Sequence, residues 1–172
     1  MRIFSTSLAA LVIALSACST ASTGPSAPFT SLGISNSSTA VAGVHCSGQP
    51  DAKQFAAIAS TGVSDVISLR PATENGTGWE EAAASAAGVR FHRIPIASPD
   101  DLTPEAVQQL DTILKGAQGE AMVYCGSSNR VGALMALRAA MIEGKSPEDA
   151  IALGKASGLK ALEPKVREIL LK

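Results

Sequence analysis

The sequence predicts an α/β domain: a central parallel sheet of about four to five strands flanked by helices. Three observations lead there. β-Branched, alternating runs recur between apolar-periodic stretches of helical length, Gly or Pro marks most of the junctions, and several helix starts carry a Ser, Thr or Asp cap with Pro just behind it.

In chain order, Ala42–Cys46 is a short apolar strand, and Pro50-Asp51 opens a helix through Phe55, Ile58 and Ala59 that closes near Gly62. Asp65–Arg70 alternates as a strand and stops at Pro71. Residues 72–78 are loop by composition, and Trp79–Ala87 is an Ala- and Glu-rich helix ended by Gly88. Val89–Ile96 is the next strand, followed by the turn Ser98-Pro99-Asp100-Asp101. Thr103 caps a helix from Pro104 to Leu114, Glu120–Tyr124 is a strand, and Val131–Glu143 is an apolar helix. Ser146-Pro147 and Pro164 each start a further helix. In open sheets of this kind ligands gather at the carboxyl ends of the strands. Four loops meet there: 47–50, 70–75, 98–101 and 125–130.

Charge divides the 172-residue chain, because after Arg2 no charged residue occurs before Asp51. Met1–Ala17 has the charged start, apolar centre and small-residue end of a secretory signal peptide, too short for a span of about 20 apolar residues. Leu15-Ser16-Ala17-Cys18 resembles the bacterial lipobox, which implies cleavage before Cys18 and acylation of that residue. Residues 18–40 then read as the lipidated cysteine and a flexible Ser/Thr-rich tether, and 41–172 as the folded domain. The expected location is the cell envelope, at the outer membrane facing the periplasm, with a lipid anchor as the membrane contact. A formal net charge of −1 provides no footprint for nucleic acid. Six aromatic residues leave little for stacking platforms.

Lipidation consumes Cys18 and leaves Cys46 and Cys125 as a possible pair. They read as a disulfide, as a working thiol with a resolving partner, or as core residues. No Cys/His grouping has metal-ligand spacing, so neither metal nor cofactor is expected. The segment Cys125-Gly126-Ser127-Ser128-Asn129-Arg130 leaves a buried strand and enters a helix. Its small residues let successive N–H groups form an anion nest, and a helix N-terminus beside an arginine favours a thiolate at Cys125. Arg130 offers a planar fork to two oxygens of an oxyanion. Asp100 or Asp101, in the neighbouring turn, would protonate a leaving oxygen. Arg70 either helps bind an anionic substrate or pairs with Glu74. His45 and His92 read as structural.

From about Gly43 to Ala140 the chain resembles the bacterial dual-specificity-phosphatase-like domain, also described as the beta-lactamase-hydrolase-like phosphatase-like family, of the cysteine-dependent protein tyrosine phosphatase superfamily. The residues that carry the likeness are Ser47-Gly48-Gln49-Pro50, Val66–Pro71 (VISLRP), His92–Ile96 (HRIPI) and Tyr124–Ala133 (YCGSSNRVGA). The resemblance implies a phosphatase-like fold, Cys125 as nucleophile forming a phosphocysteine, Arg130 as phosphate clamp, and an aspartate, with Asp101 favoured by position, as general acid. It implies a phosphorylated or other anionic substrate held by Gly126, Ser127, Ser128 and Asn129. The chain departs from the superfamily pattern in four ways. Four residues, not five, separate Cys125 from Arg130, Val131 stands where a hydroxyl residue is usual, Ser128 where glycine is frequent, and Tyr124 where histidine often precedes the cysteine. The short loop also suits a rhodanese-like sulfurtransferase or persulfide carrier. An oxidised Cys46–Cys125 pair would leave a non-catalytic anion-binding lipoprotein.

Overall fold

The computed structural model describes residues 27–172. The segment expected to be a signal peptide, and the expected acylation site Cys18, therefore lie outside the described residues. Strands β1 (Ser38–Val41), β2 (Val44–Ser47), β3 (Val63–Ser68), β4 (Arg90–Arg93) and β5 (Glu120–Tyr124) form one sheet in the order β1-β2-β5-β3-β4. The four strands from β2 to β4 are parallel, and β1 is antiparallel at one edge. The sheet is thus mixed, with a parallel centre. The antiparallel strand arises because only Ala42 and Gly43 separate β1 from β2, a two-residue hairpin in which Gly43 has φ +73°.

The domain begins before residue 41. Phe29 opens a 3-10 turn (Phe29–Leu32) and is buried, stacking on His45 at 4.1 Å between ring centroids. Ile34 is buried as well. Residues 27–40 are therefore part of the folded body and not tether, because their few apolar side chains cover one end of the sheet.

Helices α1 (Ala52–Ala56) and α2 (Glu80–Ala87) cover one face of the sheet. Helices α3 (Pro104–Gly116), α4 (Asn129–Met141), α5 (Pro147–Ala156) and α6 (Glu163–Leu170) cover the other. Alternation along β5 sorts the two cores: Met122 and Tyr124 point to the first face, Ala121, Val123 and Cys125 to the second. Thr103 caps α3 through the Ala106 N–H, and Asp51 with Gln54 closes a reciprocal cap on α1. Helices α4 and α5 cross so closely that a Cβ on Gly132 would lie 2.0 Å from the Leu159 nitrogen. Among the described residues no helix is long and apolar enough to cross a membrane.

Candidate active site

β5 delivers Cys125, 1% exposed, to the end of the sheet, where its N–H donates to the Ser47 carbonyl at 3.3 Å. The chain then turns through Gly126 and Ser127, both exposed, into Ser128 at φ +68°. A left-handed serine costs about 1 kcal/mol. Its hydroxyl offsets that cost by donating to the Ser157 carbonyl at 2.9 Å, so glycine is dispensable here. α4 begins at the next residue, and the first-turn N–H groups of a helix have no partner within it. The Asn129 side chain turns away from the loop and accepts the N–H of Lys160 at 2.7 Å.

Arg130 shows how the site is wired. Nη1 and Nη2 donate end-on to the two oxygens of Glu74 at 2.8 and 3.0 Å, and the second Nη1 hydrogen goes to the Ile96 carbonyl at 2.9 Å. What remains is the side-on fork of Nε and the second Nη2 hydrogen. The adjoining Cys125 sulfur raises the guanidinium's pKa, after the larger effect of Glu74. Glu74 in turn is held down to about 2, first by Arg130 and then, against the opposing effect of burial, by Arg70. Arg70 donates Nε to Glu74 at 2.8 Å, Nη1 to Gln49 at 2.7 Å and Nη2 to the Asn75 carbonyl at 2.6 Å. Arg70 is buried inside this network, where it braces Glu74.

A cavity of about 360 Å³ opens over Arg130, lined by Glu74, Ala97, Ser98, Pro99, Asn129 and Leu162 besides Arg130 itself. Neither aspartate expected to act as acid lines it. Asp101 accepts the N–H groups of Ser98 and Ala97 at 2.7 and 2.9 Å, which lower its pKa and close its own turn. Asp100 is exposed and pairs with Lys165 at 2.9 Å. In this structure these carboxylates are engaged by the turn and by the surface lysine. A larger groove of about 800 Å³ lies between β4 and α3, and no cysteine lines it.

Cys46 and Cys125 are both free and buried in this structure, so of the three readings the disulfide is not the one formed here. They sit on one face of adjacent strands, Cys46 level with Val123 and Cys125 one pleat further on. No metal-binding group of His, Cys, Asp and Glu occurs among the described residues. His45 bridges Thr39 at 2.9 Å and Glu120 at 2.6 Å, and His92 pairs with the buried Asp65 at 2.8 Å; both are structural. Sequence reasoning missed Glu74 as the anchor of Arg130. The signal was its place in the loop after β3, which the topology brings to the same sheet end.

This cysteine and arginine on a strand-loop-helix turn, at the carboxyl end of a parallel sheet, match a known family model. Residues 36–142 fit the phosphatase-like domain of the beta-lactamase hydrolase-like protein. The chain belongs to that family. Two curated beta-lactamase hydrolase-like proteins, from Xylella fastidiosa strains Temecula1 and 9a5c, are each 32% identical over 117 residues. The match covers 65% of this chain and 27% of theirs, so the chain spans about a quarter of the relatives' length. Among solved structures, a protein of Shewanella putrefaciens CN-32 described as a DUF442 phosphatase superposes with TM-score 0.65 at 23% identity, over 81% of this chain and 91% of that one. One from Neisseria meningitidis Z2491, described as a phosphatase, gives TM-score 0.64 at 21% identity over 76% and 96%. Tk-PTP in its active form gives 0.61 at 17% over 78% and 95%. These likenesses show the fold: the family has a phosphatase-like domain, and its sheet and helices are those seen here.

Proposed function

We propose that the domain is a cysteine-dependent phosphatase that works through a phosphocysteine on Cys125. The observation that carries this reading is the free side-on fork of Arg130 beside the buried Cys125, with the first-turn N–H groups of α4 at the same place. An oxyanion bound there has two oxygens on the guanidinium and a third toward the loop N–H groups, which puts phosphorus over the sulfur. The Cys125 sulfur attacks phosphorus, the P–O bond to the leaving group breaks, and water then cleaves the S–P bond, returning the electron pair to sulfur. Glu74 is fully engaged and ionised, so it aims Arg130 and does not donate a proton. Among the described residues, the other groups that line the cavity are neutral. The leaving oxygen therefore departs with little help, and esters of acidic alcohols such as aryl phosphates are the best substrates.

The missing acid also favours a second reading. Sulfur transfer from thiosulfate to Cys125 forms a persulfide and releases sulfite, and needs no proton donor. Acylation of Cys18 would hold the domain at the outer membrane facing the periplasm, supported by the lipobox sequence; metabolic labelling with a fatty acid that is lost in Cys18→Ala tests it.

The deciding experiment is turnover of aryl phosphates of graded leaving-group acidity, and of thiosulfate, by wild type and Cys125→Ser. Phosphate release that falls steeply as the leaving group becomes more basic, and vanishes in Cys125→Ser, supports the phosphatase. Turnover of thiosulfate alone supports sulfur transfer. Turnover of neither defeats both.

A further inference from the structure

We propose that Cys46 is a positioning residue of this site: its thiol stays protonated and donates its S–H to the Cys125 thiolate, stabilising the sulfur as nucleophile and as leaving group. The inference deepens the reading of Cys125 as nucleophile and rests on it.

The argument begins with what a departing thiolate needs. When water cleaves the S–P bond, the electron pair returns to a sulfur buried among Val123, Val131 and Leu134, in a core with little polarity to receive it. Arg130 is turned toward the anion, so a second donor behind the sulfur would relieve the charge. The residues of the loop do not supply it. Val131 has no donor, the Ser128 hydroxyl is committed to the Ser157 carbonyl, and Ser127 is exposed. Arg130 reaches the sulfur from the anion's side, and Cys46 is a buried side-chain donor on the face of the sheet behind it.

Its placement follows from register. Cys46 is level with Val123 on the adjacent strand, and alternation puts the Cys46 and Cys125 side chains on the same face, one pleat apart. Strands about 4.8 Å apart with a rise of about 3.3 Å per residue put such diagonal neighbours about 8 Å apart at Cα. A disulfide wants Cα atoms about 4.4–6.8 Å apart. The arrangement suits a contact between sulfurs better than a bond.

Two further observations concern which sulfur carries the proton. Cys46 is fully buried, and its pKa is pushed up to about 12, first by burial; the nearby Ser157 hydroxyl opposes this and the Cys125 charge adds to it. The thiol thus stays intact wherever Cys125 works. Ser157 is itself fully buried, and its Oγ has no hydrogen-bond partner in this arrangement. An orphaned hydroxyl beside Cys46 is a polar group placed for a neighbour that donates onward. Turning toward the Cys46 sulfur, it would complete the relay Ser157, Cys46, Cys125. The other charged group facing Cys125 is Arg130, with Glu74 behind it; His45 points to the opposite face.

The test is the ionisation midpoint of Cys125 in the full chain, read from the pH dependence of its alkylation by iodoacetamide and from ultraviolet thiolate absorbance. Wild type is compared with Cys46→Ser, Cys46→Ala and Ser157→Ala. The midpoint should rise by about one pH unit in Cys46→Ala, a tenfold loss of thiolate below it, and by much less in Cys46→Ser, whose hydroxyl still donates. Ser157→Ala should fall between. In Cys46→Ala, phosphocysteine should also accumulate to a higher steady level. An unchanged midpoint in a folded Cys46→Ala overturns the proposal, as does an equal shift in the Ala and Ser variants. Ready disulfide formation with peroxide and no change in midpoint also overturns it, making Cys46 a resolving thiol. The midpoint needs no turnover, so failure of the phosphatase reading and failure of this one are separately visible.

Discussion

The two faces of the sheet are built from different materials. Toward α1 and α2 the core is aromatic: Phe55 meets Trp79 and Tyr124 edge-on with centroids 5.4 and 6.3 Å apart, and Phe29 lies flat on His45. Toward α3–α6 the packing is aliphatic and close, with small residues where helices cross and both cysteines inside. Large rings fill space by shape and leave polar edges for single partners, as where the Tyr124 hydroxyl donates to the buried Glu80. The aliphatic face instead brings backbones together, which fixes α4 and the loop in front of it. The Cys125–Arg130 loop sits where the packing tolerates least movement.

The strongest way to break this contrast is Gly132→Ala. Its new Cβ would overlap the Leu159 backbone at the α4–α5 crossing, and a loss of at least about 3 kcal/mol is expected by urea denaturation. The same addition at Gly88, which meets nothing, costs only the strain of its φ of +70°.

Glu74→Gln comes next and acts on activity. It keeps the size but turns one acceptor toward Arg130 into a donor, so the guanidinium loses its aim; kcat/KM on an aryl phosphate should fall about tenfold to a hundredfold with little change in stability.

Asp111, on α3, ties the aliphatic face together through Lys115 and Arg138. The hydrogen bond from Lys115 lowers its pKa most, burial opposes, and Arg138 adds to the lowering. Because the folded value lies below the unfolded one of about 3.9, its contribution is full above that pH and lost as pH falls through the folded value. Asp111→Asn should cost about 2 kcal/mol at neutral pH and flatten the acid limb of the stability profile. A profile identical to wild type would assign acid unfolding to other carboxylates.

The smallest effect belongs to the aromatic face. Tyr124→Phe removes one hydroxyl and leaves Glu80 with the Gly78 N–H and Arg93, for a loss of about 1 kcal/mol or less and unchanged turnover.

Much of this was readable from residue order. Every strand of the parallel centre and most helices lie within a few residues of their expected places, because Gly, Pro and cap residues mark the ends; the helix expected from Asp51 to near Gly62 instead stops at Ala56 and continues as a 3-10 turn at Ile58–Thr61. The loop from Cys125 to Arg130 was legible for the same reason: its two ends are close in sequence, and local geometry joins them. Three features were not. β1 hides in an uncharged Ser/Thr-rich stretch, whose few apolar residues Phe29, Leu32, Ile34 and Val41 do not alternate; only the Ala42-Gly43 turn marked it. Glu74 acts on a residue 56 positions away, a distance that pattern reasoning does not span. Asp101 was read as an acid because it stands in a loop near the site. A Ser-Pro-Asp-Asp turn has its own unpaired N–H groups, and they claim the carboxylate first.

The sheet ends in two strands of four residues each, β1 and β4, and neither offers a clean template to a second molecule. Along β1 the register shifts between Ser38 and Val41, so an incoming strand would lose its ladder after a bond or two. β4 has arginine at both ends, and Arg90 is locked with His92 onto the buried Asp65. Edge-to-edge pairing would have to strip water from these guanidinium groups. Both edges are therefore poor templates for the addition of a further strand.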